Sequence, residues 1–476
     1  MPADLPAIIA IDLGAESCRV SLLAWDGRKP RIELVHRFRN APVEHDGGLY
    51  WNLDRICEEL DDGLGRCAEL VDGQIASIGV DGWAVDYVRL NGDGAPLGAP
   101  HCYRDIRNEA AEEDVRRRIS AEEIFSVSGV QPLRINTLNQ LVADRIAGVP
   151  QDAPWVNLPE YVLMRLGGDR VAEFSNATHT GLVDAKSQTW NKVLFERCGL
   201  DISASPSNVS TGTVLGQVDG RLSGQLKPFA GARLIAPCCH DTASAIAGIP
   251  LYGDDWAYIS SGTWSLVGTV LDHSVCSREA FQAGFTNLGA AGGQICFHKN
   301  VNGMWLLKQC MGQLCADANV WPMQELVVAA ESLSAPKNLL EVDDPDLLLH
   351  GNMASRINAQ LERRGLAPLE ERASAMPQYA SLIFHSLAAR YAEVLRNAAT
   401  ISDKKLKRLS IVGGGSLNQF LNRLTSEATG LELICGVPES STVGNFAIQL
   451  AVLEGAGASR ERIAHWAGAL TSMHEC

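Results

Sequence analysis

Short apolar runs that close on a polar or glycine-bearing turn recur along the chain and set its predicted elements. Residues 8–12, Ile-Ile-Ala-Ile-Asp, read as a buried strand ending on a carboxylate. Residues 13–19 read as a tight polar turn, and residues 20–25 as a second strand before a turn at Asp26-Gly27. Residues 77–81 repeat the buried strand with a terminal carboxylate; Gly-Trp-Ala-Val-Asp at 82–86 follows, then a strand at 87–90. Residues 233–236 form a third such strand, stopped by Pro237. The turn His240-Asp241-Thr242 comes next, then a small-residue helix that glycine and proline end at 248–250. Beyond Pro250 the order of elements restarts, with a strand at 256–259, a hydroxyl-rich turn at 260–263 and a strand at 264–270. Only the order of elements, not sequence identity, suggests an internal duplication.

Helical spacing shows at 51–70, where Leu53, Ile56, Leu60, Leu64 and Leu70 share a face, and at 109–119 and 137–146. It is strongest at 379–400, where Phe384, Leu387, Tyr391, Val394, Leu395 and Ala398 form one stripe. That helix leads into a strand at 409–412, a glycine-rich turn at 413–416, a helix at 417–429, a strand at 431–435 and a buried helix at 443–455. Residues 157–161 and 175–180 read as polar turns, 203–220 as loop, and 332–366 as irregular and peripheral.

A length of 476 residues exceeds one ordinary core, so two domains are expected, with the boundary near 245–252. The division taken is 1–246 and 247–476. Acidic residues outnumber basic ones by 56 to 41, a net charge of -15, which argues against a nucleic-acid partner. It leaves anionic ligands open, because backbone N–H groups and helix N-termini hold phosphate on acidic proteins too. No stretch reads as a signal peptide or a bilayer span, so a cytoplasmic protein without a membrane partner is expected, as monomer or homodimer. The thirteen cysteines are scattered without a CxxC pair or zinc spacing, which points away from a disulfide framework or structural metal.

Each polar turn carries two readings. At 240–242 a carboxylate beside an imidazole sits where open α/β sheets place their chemistry, and capping of the next helix by Asp241 or Thr242 is the plain alternative. The turn at 13–19 suits phosphate, with Arg19 to pair with it and Asp12 to hold Mg²⁺ through water, or it is an ordinary hairpin. Asp81 and Asp86 flanking Trp83 suit a polyol edge, or a turn with a packed indole. Arg104 and Asp105 either line the same cleft or pair with each other. The glycines at 413–415 let a nucleotide approach the backbone, or allow close helix–sheet packing.

Taken together, Asp12-Leu-Gly-Ala-Glu-Ser-Cys-Arg19, Ile78-Gly-Val-Asp-Gly-Trp-Ala-Val-Asp86, Tyr103-Arg-Asp105, His240-Asp-Thr-Ala-Ser-Ala245, Ser260-Ser-Gly-Thr-Trp-Ser-Leu266 and Ile411-Val-Gly-Gly-Gly415 resemble the FGGY carbohydrate kinases of the actin/hexokinase/Hsp70 superfamily. The match runs along nearly the whole chain and leans towards the L-rhamnulose-phosphorylating branch. The resemblance implies an α/β fold of two actin-like, ribonuclease H-like ATPase domains with a deep cleft between them. It implies ATP-dependent phosphorylation of a ketose, foremost L-rhamnulose to L-rhamnulose 1-phosphate, with ATP and Mg²⁺. L-fuculose, xylulose or ribulose are the other acceptors, and a non-catalytic sugar- or nucleotide-binding regulator is the other class.

By the family pattern Asp241 is the general base. Ala84, Asp86, His240, Thr242 and Asn300 fall at sugar contacts, and Asp12 at the magnesium-linked carboxylate. Ala15, Glu16, Ser17, Cys18, Arg19, Thr263, Lys308 and Gly414 fall at the nucleotide. The chain departs from the branch pattern at Cys18 and Ala84, where glycine is usual, and at Lys308, where glutamine is. It departs also at Arg134, in an apolar stretch, and at His179, in a threonine-rich turn.

Overall fold

The computed structural model describes residues 6–26, 29–220, 227–315, 321–455 and 457–471. Gly27 of the first predicted turn lies outside them. The chain divides into two compact units, both discontinuous in sequence. One comprises Met1–Tyr252, Leu271–Phe297 and Ser440–Cys476, the other Gly253–Val270 and His298–Glu439.

The first unit is built on a six-stranded sheet. Its order is Val214–Gln217, Arg233–Ile235, Ile75–Gly82, Ala7–Leu13, Ser17–Asp26, Lys29–Arg39. Ala7–Leu13 is buried at every position, which is why it reads as an unbroken apolar run rather than an alternating one. It pairs parallel with Ile75–Gly82, which pairs parallel with Arg233–Ile235. Parallel neighbours bring their carboxyl ends to one edge. Asp12 lies opposite Asp81, and the next residue, Gly82, bridges to His240.

The helix Leu53–Glu69 covers the sheet with Ile56, Leu60, Leu64 and Cys67, while its Leu53 and Cys57 pack with Val88, Leu90, Val156 and Tyr161, and Asn52 caps its start by accepting from the Arg55 N–H at 3.1 Å. Leu70, expected on that face, is 52% exposed and forms the C-cap.

The short helix Asp241–Ala247 packs on Ser440–Leu453 with almost no side chain between them. A Cβ added to Gly444 would fall 1.8 Å from the Ser244 carbonyl oxygen, and one on Gly248 2.3 Å from that of Ser440. Small residues on both helices permit this approach and fix where the His240-Asp241 turn sits.

In the second unit Trp256–Ser261 is antiparallel to Trp264–Leu271 and parallel to Arg408–Val412, which is parallel to Glu432–Cys435. The predicted long helix runs Met376–Ser402, burying Phe384, Leu387, Tyr391, Val394, Leu395 and Ala398. The Tyr391 hydroxyl lies 2.6 Å from Ser265 Oγ.

Several predicted loops are ordered elements. Residues 157–161 lie in the strand Trp155–Asn157 and the helix Leu158–Arg165, with Pro159 in the first turn, where its missing N–H costs nothing. Residues 175–180 lie mostly in the helix Phe174–His179. Strands Ser207–Val209 and Val214–Gln217 interrupt the loop at 203–220, and Met353–Arg363 is a helix burying Met353, Ala354, Ile357 and Leu361. In the first two cases buried polar side chains hide the helical periodicity. Among the described residues no helix is long and apolar enough to cross a membrane.

Candidate active site

At the carboxyl edge of the first sheet, Asp12 is 3% exposed, with Arg19 Nη2 3.1 Å away and the Ser441 hydroxyl donating at 2.7 Å. Asp81 is fully buried and accepts from Asn445 Nδ2 at 2.6 Å. Burial first, and the charge of Asp12 second, hold the Asp81 carboxyl well above the usual carboxylate range. Its Oδ1 is buried without a hydrogen-bond partner among the described residues.

Asn445 is in turn ordered by Gln449, whose amide donates to it at 2.7 Å and to the Ile9 carbonyl at 2.9 Å. The Ser77 hydroxyl donates to Gln449 Oε1 at 2.7 Å. Gly79 makes room for this face, since a Cβ there would meet Asn445 Oδ1 at 2.5 Å. Ser441, Asn445 and Gln449 were missed by the sequence reasoning. Their signal is polar residues four apart on an otherwise apolar helix, one stripe turned inward.

The turn bearing Asp241 is held by its backbone. The Cys239 N–H donates to Glu173 Oε2 at 2.9 Å, the His240 N–H to Ser175 Oγ at 3.3 Å, and the Gly82 N–H to the Cys239 carbonyl at 3.1 Å. The N-cap of Asp241–Ala247 is His240, and no side chain makes the capping bond, so the capping alternative is not taken up.

Asp241 Oδ1 accepts from Thr242 Oγ1 at 3.1 Å and lies 3.2 Å from His240 Nε2. Oδ2 has no partner among the described residues, and the side chain is 36% exposed. Burial pushes the Asp241 carboxyl up to about 6, against the Thr242 hydroxyl and amide and the charge of Arg19. This is a carboxylate with one oxygen tied and the other open, near the proton affinity that suits a base at neutral pH. Burial pushes His240 down to about 3, so it is neutral.

Beside this turn, Gly82 brings its strand against Leu13, where a Cβ would meet the Leu13 carbonyl at 2.8 Å. Ala84 is 8% exposed. Asp86 is fully buried and takes Trp51 Nε1 at 2.6 Å, Trp83 Nε1 at 3.0 Å and Gln140 Nε2 at 2.9 Å. Both indoles thus fall on Oδ2 and the Gln140 amide on Oδ1, and a carboxylate oxygen with one donor keeps a second acceptor site. Burial, offset by those donors, leaves its carboxyl at about 6.

Val85 adopts φ +72°, a left-handed conformation rare for a β-branched residue. Its carbonyl is pinned by Thr137 Oγ1 at 2.7 Å and Gln140 Nε2 at 3.1 Å. Such strain, about 1–2 kcal/mol, persists where surrounding bonds over-determine the backbone, commonly at ligand sites.

Arg104 and Asp105 take separate roles. Arg104 lies over the Tyr103 ring at 5.1 Å, while Asp105 accepts from the Leu49 and Arg107 N–H groups at 2.7 and 2.8 Å. Arg134 forms ion pairs with Glu109 and Glu112 at the surface.

The turn after the first strand is shorter than predicted, because the second strand begins at Ser17. Gly14 is required there, since a Cβ would fall 2.3 Å from the Ser17 carbonyl oxygen. Glu16 is exposed, Ala15, Ser17 and Arg19 are half-buried, and Cys18 is fully buried. The Cys18 side chain joins the hydrophobic core, its thiol donating to the Gly14 carbonyl at 3.6 Å. The side chain expected in the turn is therefore turned away from it, as the strand's alternation requires.

In the second unit Thr263, Asn300, Lys308 and Gly414 are all exposed. The N–H groups of Met304 and Trp305 donate to the carbonyls of Gly262 and Thr263 at 3.0 and 3.2 Å, joining the hydroxyl-rich turn to the helix Trp305–Leu314 that carries Lys308. A Cβ on Gly413 or Gly415 would strike Ser261, so the glycine-rich turn lies directly on the end of the strand preceding Thr263.

For a divalent cation the donor set fits. Asp12 and Asp81 are buried carboxylates on adjacent strands, and the orphaned Asp81 Oδ1 together with the raised affinity of Asp81 for a proton marks a place where positive charge is wanted.

Comparison with known proteins accords with these observations. The model of the FGGY family of carbohydrate kinases, N-terminal domain, matches residues 7–248, and that of the C-terminal domain residues 257–453. The rhamnulokinase of Enterobacter sp. (strain 638) is 34% identical over 454 residues, 94% of this chain and 89% of that relative. The rhamnulokinase of Enterococcus faecalis (strain ATCC 700802 / V583) is 34% identical over 448 residues, 93% of this chain and 88% of its own. Among solved structures, the ligand-bound xylulose kinase of Lactobacillus acidophilus superposes with a TM-score of 0.80 at 18% identity, covering 97% of this chain and 92% of that one. Plasmodium falciparum glycerol kinase with ADP gives 0.70 at 13% identity, covering 99% and 98%. The structures speak for fold, and the fold is the two-domain, actin-like α/β architecture expected from the sequence.

Proposed function

Because this chain belongs to the FGGY family of carbohydrate kinases, and so is an ATP-dependent sugar kinase, we propose that its acceptor is L-rhamnulose and its general base Asp241. The observation that carries the base assignment is the geometry of that carboxylate, with Oδ1 tied to Thr242 and beside His240 while Oδ2 is open. Likeness to rhamnulokinases at 34% identity over 94% of the chain supports the sugar.

In the reaction, Oδ2 takes the proton of the C1 hydroxyl as its oxygen bonds to the γ-phosphorus. The bond from that phosphorus to the bridging β–γ oxygen breaks, and ADP leaves with the electron pair. The transfer needs in-line placement and charge neutralisation more than covalent help from the protein. His240 and Thr242 orient the base and flank the sugar with Ala84 and Asn300. Asp86 anchors its turn through the indoles of Trp51 and Trp83 and offers the second acceptor site of Oδ1 to a sugar hydroxyl. Residues 15–19, Thr263, Lys308 and Gly414 meet the nucleotide, Cys18 through its backbone only. Asp12, with Asp81 beside it, would hold Mg²⁺, which when bound offsets the charge of the phosphates.

A coupled ADP-release assay with MgATP against L-rhamnulose, L-fuculose, L-ribulose, D- and L-xylulose, D-ribulose and glycerol tests the acceptor. A clear preference for L-rhamnulose is expected. Preference for another ketose overturns the sugar and keeps the mechanism, and silence across the panel with ATP still bound favours a regulator.

A further inference from the structure

Residues 83–86 fold back on themselves, because the Trp83 indole donates to the carboxylate of Asp86, three residues on, at 3.0 Å. A strand running through these residues would carry the two about 10 Å apart. Val85, at φ +72°, makes the reversal. The turn is fastened at both ends, where the Trp83 N–H donates to the Leu13 carbonyl at 2.9 Å and the Leu158 N–H to the Asp86 carbonyl at 3.1 Å. Neither bond dictates the conformation of Val85 between them. A β-branched residue left to itself disfavours the left-handed region by a factor of about ten.

What holds Val85 there is the first turn of the helix Thr137–Ile146. Thr137 and Gln140, three residues apart, share a face of that helix, and both are buried. The Thr137 hydroxyl donates to the Val85 carbonyl at 2.7 Å. The Gln140 amide nitrogen is shared among the carbonyls of Val85 and Ile135, each at 3.1 Å, and Asp86 Oδ1 at 2.9 Å. This end of the helix is itself anchored. Asn136 Nδ2 donates to the His179 carbonyl at 3.1 Å and the Leu138 N–H to the Thr180 carbonyl at 2.9 Å, while Leu138, Leu141 and Val142 sit in an apolar cluster with Tyr87 and Trp155.

We propose that Thr137 and Gln140 are positioning residues for the acceptor sugar: they hold Val85 left-handed and so keep Ala84 and the second acceptor site of Asp86 Oδ1 where the sugar meets them. The role rests on the reading of residues 84–86 as a sugar edge. Thr137 acts on the backbone alone, and Gln140 on the backbone and the carboxylate together. Without the Thr137 hydroxyl, the Val85 carbonyl keeps only a shared donor. The backbone then relaxes towards negative φ, and the turn that brings Asp86 to the Trp83 indole opens.

Two readouts on the full-length protein separate this contact from the reaction. Nuclear magnetic resonance of protein labelled at tryptophan nitrogens follows the indole N–H groups of Trp51 and Trp83, which report their bonds to Asp86. In Thr137→Val both signals should shift, and Thr137→Ser, which keeps the hydroxyl, should restore them. Gln140→Met, which keeps length and loses the donor, should shift them as well. In kinetics with the ketose that gives the highest rate of ADP release, Thr137→Val should raise KM for the sugar about ten-fold and leave KM for MgATP unchanged. In a Val85→Gly background, where the left-handed conformation carries no steric cost, the same replacement should raise KM for the sugar by less than about three-fold. An equal rise in both backgrounds, a rise shared by the two substrates, or unmoved indole signals in Thr137→Val and Gln140→Met overturns the proposal. Moved signals with an unmoved KM for the sugar remove residues 84–86 as the sugar edge while the hold on Val85 stands.

Discussion

Asp241 depends on neighbours that never meet a substrate. Glu173, fully buried, accepts from the Cys239 N–H and so holds the residue two before the base. Glu160, also fully buried, accepts from the Glu173 N–H at 3.1 Å and from Asn176 at 2.8 Å. Burial, then the charge of Glu173, pushes the Glu160 carboxyl from 4.5 up to about 8. The folded protein thus keeps a proton on Glu160 that the unfolded chain releases. The associated stability is fully present below about pH 4.5 and is lost as pH rises towards 8. Thermal unfolding of the wild type should therefore fall across that window, and Glu160→Gln, which has no proton to lose, should flatten the fall. Parallel curves for the two proteins would contradict the protonated state of Glu160. Neither glutamate announced itself in the sequence, because a buried acid with internal donors has no local pattern.

The pairing of Asp241–Ala247 with Ser440–Leu453 shows at the scale of elements what fixes the site. Gly444→Ala places a methyl 1.8 Å from a carbonyl oxygen, so the helices must part. The expected cost is at or above the ~3 kcal/mol upper end of ordinary overpacking, read by thermal unfolding, with kcat lowered as the base moves. An unchanged melting temperature would mean that the contact is not formed as described.

The same elements explain what the sequence made legible. Strands at 8–12, 77–81 and 233–236 were readable because parallel strands buried on both faces are plain apolar runs, each closing on its polar turn. The helix Phe174–His179, carrying Ser175, Asn176, Thr178 and His179, resembled a polar turn because its side chains bond inside the protein. Its contribution to the site was therefore hidden, and only His179 stood out, as a departure from a family pattern. Val85 was equally silent, since a left-handed φ in a non-glycine residue is imposed by tertiary donors such as Thr137 and Gln140.

Across the whole molecule, chain order and compact structure part company. Residues Ser440–Cys476 belong with the first unit, where Ser441 and Asn445 serve Asp12 and Asp81. Motifs could be recognised one by one in the linear sequence, but donors arriving from more than 360 residues away could not. An acidic chain of net charge -15 also needs a local means of holding phosphates, and Arg19, glycine-rich turns and a carboxylate-held cation are the means proposed. The central claim is that a sugar hydroxyl is activated by Asp241. The most direct measurement is ADP release by Asp241→Asn with L-rhamnulose and MgATP, beside calorimetric titration of the sugar into the same variant. The account expects sugar binding to be kept and turnover to fall by about a hundred- to ten-thousand-fold. Near-normal turnover in that variant would contradict it.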